Sequence, residues 1–278
     1  MAAARTLLIT GCSSGIGYHC AHAMSARGWR VFATARKPED VERLASEGLE
    51  ALQLDLDDPA SIEAAVTMVL TYTGGRLDAL FNNGAYGQAG AVEDLPRAAL
   101  RAQFETNVFG WLELTNRVLP VMRAQGHGRI VQNSSLLGLV ALKWRGAYNA
   151  SKYALEGLTD TLRLELAGSG IHVSLIEPGP ITSRFRDNAR AAFERRIDRE
   201  HSPHRLAYER MARQQAAADK PPPFTLGPEA VQRRLVHALE SPRPRIRYPV
   251  TIPTRVFATL RRVLPHWALD RVLAGVSE

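Results

Sequence analysis

The sequence predicts an α/β fold of the doubly wound Rossmann type, a parallel sheet of about seven strands with helices on both faces. Three features carry that expectation. Short apolar runs alternate with helical patterns along most of the 278 residues. A glycine-rich turn, Gly11, Gly15 and Gly17, follows the first run directly. The composition, 45% hydrophobic and 23% charged, gives enough apolar surface for one large core. Strands and helices alternating at this spacing imply right-handed crossovers, which cover a parallel sheet on both faces.

Residues 5–10 read as a buried strand ending at Gly11, and 15–28 as a helix. Residues 29–34 are a second strand, 41–47 a short helix and 51–54 a third strand. Pro59 opens a helix that closes near Gly74-Gly75, and 77–81 is a fourth strand. The stretch 96–123 reads as helical, kinked or ended by Pro120. Residues 129–134 give a fifth strand, 147–166 a helix closed by Gly168, and 171–176 a sixth strand stopped by Pro178-Gly179. Residues 184–225 break the pattern: polar, rich in Arg and Ala, ending in Pro221-Pro222-Pro223. At the C-terminal edge of a parallel sheet such an insertion covers a ligand site, so a mobile substrate lid is expected there. A helix over 228–240 and a last strand over 245–248 complete the pattern. The expected organisation is one domain, residues 1–250 including lid 184–225, with an amphipathic extension, 251–278, packed on it.

The two cysteines, Cys12 and Cys20, suggest no disulfide framework and fit a reduced, cytoplasmic setting. No apolar run is long enough to span a bilayer. The first ten residues superficially resemble a signal segment, but the glycine turn follows at once, so they read as a strand. The formal net charge is +7, and from residue 243 onward seven arginines stand against Asp270 and Glu278. With no nucleic-acid motif and no aromatic stacking array, nucleic acid is not an expected partner. Within this tail Val256, Leu260, Val263, Leu264 and Trp267 recur at helical spacing, an amphipathic helix over 255–267 distorted by Pro265. Packing on the lid or a second subunit is the preferred reading; a weak contact with an anionic membrane surface is the alternative. His19 and His22 near the cysteines lack an acid to complete a metal site, so no metal is expected. The interleaved Arg and Asp/Glu residues of 184–213 read as an ion-pair-laced helix.

The first turn, Thr10-Gly11-Cys12-Ser13-Ser14-Gly15-Ile16-Gly17, suits a pyrophosphate: glycines permit close backbone approach, and the next helix N-terminus favours negative charge. At the end of the second strand, where an acid would bind ribose hydroxyls and repel a 2′-phosphate, the chain has Ala35-Arg36-Lys37. Arg36 offers a planar fork for phosphate and Ser14 a hydroxyl, which points to NADP; the alternative is an arginine on a solvated loop. Asp55-Leu56, at the third strand end, suits the adenine amino group, and Asn82-Asn83-Gly84-Ala85 offers backbone groups to the cofactor.

Tyr148 and Lys152 stand at i and i+4 near a helix start and share one face. A free phenol titrates at about 10, and a nearby ammonium and a cationic nicotinamide both favour its phenolate. Ser135, at the fifth strand end, has a hydroxyl suited to hold the oxygen that Tyr148 protonates. Leu136, Leu137, Val140, Trp144, Tyr86 and Phe185 would give an apolar pocket mouth.

With these residues the chain resembles the short-chain dehydrogenase/reductase superfamily, in its classical branch, over roughly the first 250 residues. The matching stretches are TGCSSGIG (10–17), NNGA (82–85), Asn107 in TNVFG, Ser135, YNASK (148–152) and PGPITS (178–183). The resemblance implies that Asn107, Ser135, Tyr148 and Lys152 are catalytic, with Asn107 positioning a water in a proton relay through Lys152 and the ribose. It also implies that Pro178, Gly179 and Ile181 line the cofactor and that a following hydroxyl binds the carboxamide. Ser183 stands where the family usually has Thr, with Thr182 just before it. NNGA replaces the usual NNAG. The finer likeness is to NADP-dependent bacterial aldehyde reductases and to vertebrate steroid and retinol dehydrogenases. The expected activity is NADP(H)-dependent reduction of a small apolar aldehyde or ketone. A steroid or retinol dehydrogenase is the alternative in the same class, and an NADP(H)-sensing regulator without turnover is the rival from another. The complete Asn-Ser-Tyr-Lys set argues against a sensor, and a homo-oligomer is left open.

Overall fold

The computed structural model describes residues 4–216 and 222–276. Its strands are Thr6–Ile9 (β1), Arg30–Ala35 (β2), Glu50–Gln53 (β3), Ala79–Asn82 (β4), Gly128–Asn133 (β5), Ile171–Glu177 (β6) and Arg247–Pro249 (β7). All neighbours pair in parallel, in the order β3-β2-β1-β4-β5-β6-β7. The helices are Gly15–Ala26 (α1), Pro38–Ser46 (α2), Pro59–Thr73 (α3), Arg97–Phe104 (α4), Gly110–Gln125 (α5) and Gly146–Glu165 (α6). They continue with Phe185–Arg196 (α7), Arg205–Ala216 (α8), Glu229–Glu240 (α9), Ile252–Val263 (α10) and His266–Val276 (α11). The strand order reverses between β1 and β4, and the crevice beyond their C-terminal ends is where such sheets take ligands.

Alternation along the strands sorts the core into two layers. Leu7, Ile9, Val31 and Ala33 pack with Cys20 and Met24 of α1, Leu44 of α2 and Val231 and Leu235 of α9. Leu8, Phe32, Leu80 and Ile130 point the other way, against Ile62 and Val66 of α3, Trp111, Leu114 and Val118 of α5 and Leu155 of α6. This is a Rossmann-type fold with both sheet faces covered.

Two elements depart from the sequence reading. The stretch 96–123 is two helices joined by a π-helical turn, Glu105–Phe109, while Pro120 lies inside α5 without ending it. The stretch 184–225, by contrast, is helical over most of its described length, as α7 and α8, in keeping with the helix read over 184–213; residues 217–221 lie outside the described residues. The tail forms two helices, with the break at Leu264-Pro265. Its packed stripe is also different. Phe257, Leu260, Leu264, Leu269 and Leu273 cluster on Leu136 and Val140, whereas Val256, Val263 and Trp267 are exposed, Trp267 by 70%. The spacing suits a helix but fits two faces of it, and the Phe257 face meets the apolar partners.

Candidate active site

The loop after β1 is built for close backbone packing. Gly11 has φ +70° and Gly15 φ +59°, conformations that favour glycine. A Cβ on Gly17 would stand 2.2 Å from the Gly11 carbonyl oxygen, so only hydrogen fits. The Thr10 hydroxyl accepts from the backbone N–H groups of Asn83 and Gly84, both at 2.9 Å, locking the loops after β1 and β4 together. The Asn83 amide donates to the Thr10 carbonyl at 2.9 Å and the Gly11 carbonyl at 3.2 Å, and receives the Asn133 amide at 2.8 Å. Ser14 is the extended residue before α1, and its hydroxyl makes no cap bond, so it is free to meet a ligand. The partly buried Ile16 anchors the first turn of α1 in the core.

Arg36 directly follows β2; its side chain is exposed and makes no ion pair among the described residues. Ala35 is buried, 2% exposed. Arg43, which no sequence motif singles out, donates to the Ser13 carbonyl at 2.7 Å and pairs with Asp40 at 3.1 Å, bracing the loop from α2. The Asp55 backbone N–H donates to Ser61 at 3.0 Å, and its carboxylate accepts the Asp57 N–H at 3.1 Å. Leu56 is buried beside Gly84. Asn82 turns its side chain away, to the Thr115 hydroxyl at 3.0 Å, leaving only its backbone for the crevice. The glycine cradle and the uncapped Ser14 hydroxyl at the start of α1 fit the phosphates of a dinucleotide.

The four expected catalytic residues converge from three directions. Asn107 lies in the π turn, the kind of helical irregularity that recurs at functional sites. Its amide donates to the Tyr86 carbonyl at 3.0 Å and to Ser151 at 3.2 Å, and its oxygen accepts the Tyr86 N–H at 3.2 Å. Ser135 follows β5 and caps the short turn Leu136–Gly138, accepting the Leu137 N–H at 3.1 Å. Tyr148 and Lys152 are both buried in the first turns of α6. Lys152 donates to the Asn133 carbonyl at 2.8 Å and lies 4.3 Å from the Trp111 ring centroid and 5.7 Å from that of Tyr148. Trp111, also missed from sequence, floors the site and donates to the Gly84 carbonyl at 2.7 Å.

Burial dominates the titration of this pair. It pushes the Tyr148 phenol up to about 12, against a smaller opposing effect of its hydrogen bond with Ser135. It pulls Lys152 down to about 7, against the opposite charge of Glu156. The net shift of the phenol is upward and set by burial; Lys152 is not among the groups that move it, so the expected lowering by Lys152 does not emerge here.

Helix α7 reaches this centre. The Phe185 ring sits 5.2 Å from that of Tyr148, and a Cβ on Gly87 would lie 2.8 Å from it. Arg196 donates to the Tyr86 hydroxyl at 3.2 Å and to Gln88 at 3.3 Å. Tyr208 of α8 donates to Asp94 and accepts the Ala91 N–H at 2.8 Å. Intrahelical pairs such as Arg205–Glu209 at 3.1 Å match the expected ion-pair lacing. Of the six expected mouth residues, Phe185 and Tyr86 line this region. Leu136 and Val140 instead pack under α10 and α11, and the Trp144 ring centroid lies 5.8 Å from that of Tyr208 in α8. Leu137 is partly buried.

The turn after β6 runs from Pro178, whose carbonyl accepts the Leu136 N–H at 2.8 Å, to Gly179, packed on Thr251. Ile181 pairs with Leu226. Ser183 lies against Gly15, its Cβ 2.9 Å from where a Gly15 Cβ would be, whereas Thr182 is exposed. Of the two hydroxyls, Ser183 is the one at the phosphate loop. Away from the site, both cysteines are free and buried, and His22 pairs with Glu47 at 2.9 Å. Among the described residues no three potential ligands are grouped for a metal ion, and no helix is long and apolar enough to cross a membrane.

The short chain dehydrogenase family profile matches residues 5–193. The uncharacterized oxidoreductase YbbO of Escherichia coli K12 is 43% identical over 278 residues, covering 98% of this chain and 94% of YbbO. Human 17-beta-hydroxysteroid dehydrogenase type 1 is 36% identical, covering 89% of this chain and 78% of its own. Among solved structures, a short chain dehydrogenase/reductase from Burkholderia phymatum in complex with NAD aligns with TM-score 0.78 and 25% identity, over 97% of this chain and 95% of its own. A single-residue variant of actinorhodin polyketide ketoreductase with NADPH aligns with TM-score 0.74 and 28% identity, over 90% and 97%. With the glycine cradle, the Tyr148–Lys152 pair and Ser135 gathered at the crevice of a seven-stranded parallel sheet, the chain belongs to the short-chain dehydrogenase family of oxidoreductases.

Proposed function

We propose that the protein is an NADP(H)-dependent carbonyl reductase acting on small apolar aldehydes or ketones. The observation that carries the reading is the buried Tyr148–Lys152 pair beside Ser135, under an aromatic lid residue, in a fold whose second strand ends in Ala35-Arg36 instead of an acid. Arg36 and Ser14 would hold the 2′-phosphate, the 11–17 loop the pyrophosphate, and Ser183 the carboxamide. Asp55 and Leu56 would face the adenine.

When bound, NADPH supplies hydride to the carbonyl carbon. Tyr148 donates its phenolic proton to the carbonyl oxygen, and the Ser135 hydroxyl steadies that oxygen. Lys152 stabilises the resulting phenolate and grips the ribose, and Asn107 supports the return of a proton to Tyr148. Phe185 and Tyr86 exclude water from the carbonyl, with α7 and α8 acting as a lid that opens for exchange. In this reading 1–250 is the catalytic domain and the tail packs on it beside the Ser135 turn. The two free, buried cysteines suit a cytoplasmic setting.

A panel of aldehydes, ketones and alcohols, followed by absorbance with NADPH and NADH in parallel, tests this directly. Preference for NADPH with apolar aldehydes or ketones is expected; equal or better efficiency with NADH removes the cofactor assignment. A steroid or retinol substrate is the second reading, favoured by the 36% identity to the human steroid dehydrogenase, and those substrates belong in the panel.

A further inference from the structure

Behind Lys152 and Ser135 lies a charge cluster that the proposed reaction does not use directly. Arg247 of β7 reaches three carboxylates. It donates to Glu177 at 2.7 Å, to Asp160 at 2.5 Å and to the Oε2 of Glu156. The other oxygen of Glu156, Oε1, accepts the Ser134 hydroxyl. The Glu156 and Glu177 side chains are 9% and 3% exposed, so this is no solvated surface pair. Each member adjoins a piece of the site. Ser134 precedes Ser135, Glu156 is one turn beyond Lys152 on the same helix face, and Glu177 precedes the Pro178-Gly179 turn. The Ser134 N–H also donates to the Ile176 carbonyl at 2.8 Å, joining the ends of β5 and β6.

The groups facing Glu156 and Glu177 decide which of them is charged. From α6 come Lys152 and Asp160, the latter also holding Arg163 at 3.3 Å. From β7 comes Arg247, and from α10 Arg262 acts on Glu177. Burial, and then the Glu156 charge, push the Glu177 carboxyl up to about 7, so Glu177 is where the cluster takes up a proton most readily. Burial also raises Glu156, but it accepts from both Ser134 and Arg247, a set of donors that favours its ionised form.

Resting on the Tyr148–Lys152–Ser135 reading of the site, we infer that Glu156 is a positioning residue: held by Arg247, it fixes the Ser134-Ser135 strand end against α6 and keeps Lys152 charged. Its carboxylate offsets part of the desolvation that burial imposes on the Lys152 ammonium, and its bond to Ser134 sets where the Ser135 hydroxyl stands relative to Tyr148.

The chain has four lysines, Lys37, Lys143, Lys152 and Lys220, so carbon-13 NMR of side-chain-labelled lysine in the full protein follows Lys152 directly, assigned by its loss in Lys152→Arg. Glu156→Gln keeps an acceptor for Ser134 and removes the charge. It is expected to lower the Lys152 midpoint by about one pH unit, the low end of what an opposite charge a few ångströms away does. An unmoved midpoint overturns the inference. Should Glu156→Gln fail to fold, Ser134→Ala deletes one hydroxyl and leaves every charge. It is expected to lower kcat by about tenfold to a hundredfold, the scale of a small misplacement of a reacting group, with Lys152 titrating as in the wild type. Wild-type kcat in Ser134→Ala overturns the positioning. The NMR titration needs no turnover: a shifted Lys152 in a chain that reduces no carbonyl supports the Glu156 role while the reductase reading fails.

Discussion

Replacing Arg36 with Ala is expected to separate NADPH from NADH binding without disturbing the fold. The side chain is exposed and makes no ion pair among the described residues. The bond that residue 36 does make, from Gln53 Nε2 to its carbonyl at 3.1 Å, is a backbone contact that alanine retains. The substitution is thus expected to leave the melting temperature nearly unchanged, as exposed changes generally do. On the proposed reading it removes a charge-assisted hydrogen bond to the 2′-phosphate, worth about 1.5–3 kcal/mol. Solvent screening at an exposed guanidinium favours the lower end, about 1.5 kcal/mol, or roughly tenfold in Kd. The assay is fluorescence titration of each variant with NADPH and with NADH. NADPH affinity should fall about tenfold while NADH affinity stays within about twofold. Equal losses for both, or no loss for NADPH, refute the assignment of Arg36 to the phosphate. The obvious companion, Ala35→Asp, is less clean: Ala35 is 2% exposed, so an introduced carboxylate carries a burial cost as well as repulsion.

Three further outcomes follow from the same geometry. With the Lys152 ammonium pulled down to about 7 and the Tyr148 phenol raised to about 12, the phenol keeps its proton near neutrality while the ammonium is lost as pH rises. The kcat/KM for reduction should therefore be highest below about pH 7 and fall above it, whereas alcohol oxidation, which needs the phenolate, should rise with pH; reduction faster at pH 9 than at pH 6 contradicts this. Phe257→Ala opens the cluster over Leu136 and Val140, and a loss of about 3 kcal/mol, read by denaturant melts, is expected, with KM rising because the turn beside Ser135 loosens; unchanged stability would show that the tail does not pack there. Hydrogen exchange over α7 and α8 should slow when NADPH is added, and equal, strong protection with and without it rules out a lid.

Much of this architecture is local enough to be read from sequence. The short, mostly apolar runs TLLI and RVFATA, each ending at a polar or glycine turn, read as buried strands because they are too short for helices and are rich in strand-favouring residues. The glycine loop and the i,i+4 spacing of Tyr148 and Lys152 are likewise local signals. The parts that escape are long-range. Ser134, Glu156, Glu177 and Arg247 meet only after four segments fold together, and Arg43 and Trp111 look like ordinary helix residues until the loops they brace are placed. The π turn at Asn107 has no proline or glycine to announce it, and Pro120 draws attention to the wrong place. In α10 the helical period fits two stripes, and only the position of Leu136 and Val140 selects the one carrying Phe257. The same contact takes Leu136 and Val140 away from the pocket mouth, where their apolar character alone would put them.

Everything proposed for the reaction depends on Tyr148 being the proton donor in a nicotinamide-dependent reduction. Tyr148→Phe removes one hydroxyl from a ring that is otherwise packed on Phe185, so the cavity and the cofactor cradle stay as they are. Steady-state reduction of the best aldehyde or ketone, alongside NADPH titration of the same sample, is the measurement. Turnover should fall by about 10²–10⁴-fold, the usual worth of general acid catalysis, with NADPH affinity nearly unchanged. A variant that binds NADPH normally and keeps more than about a tenth of wild-type turnover contradicts the account.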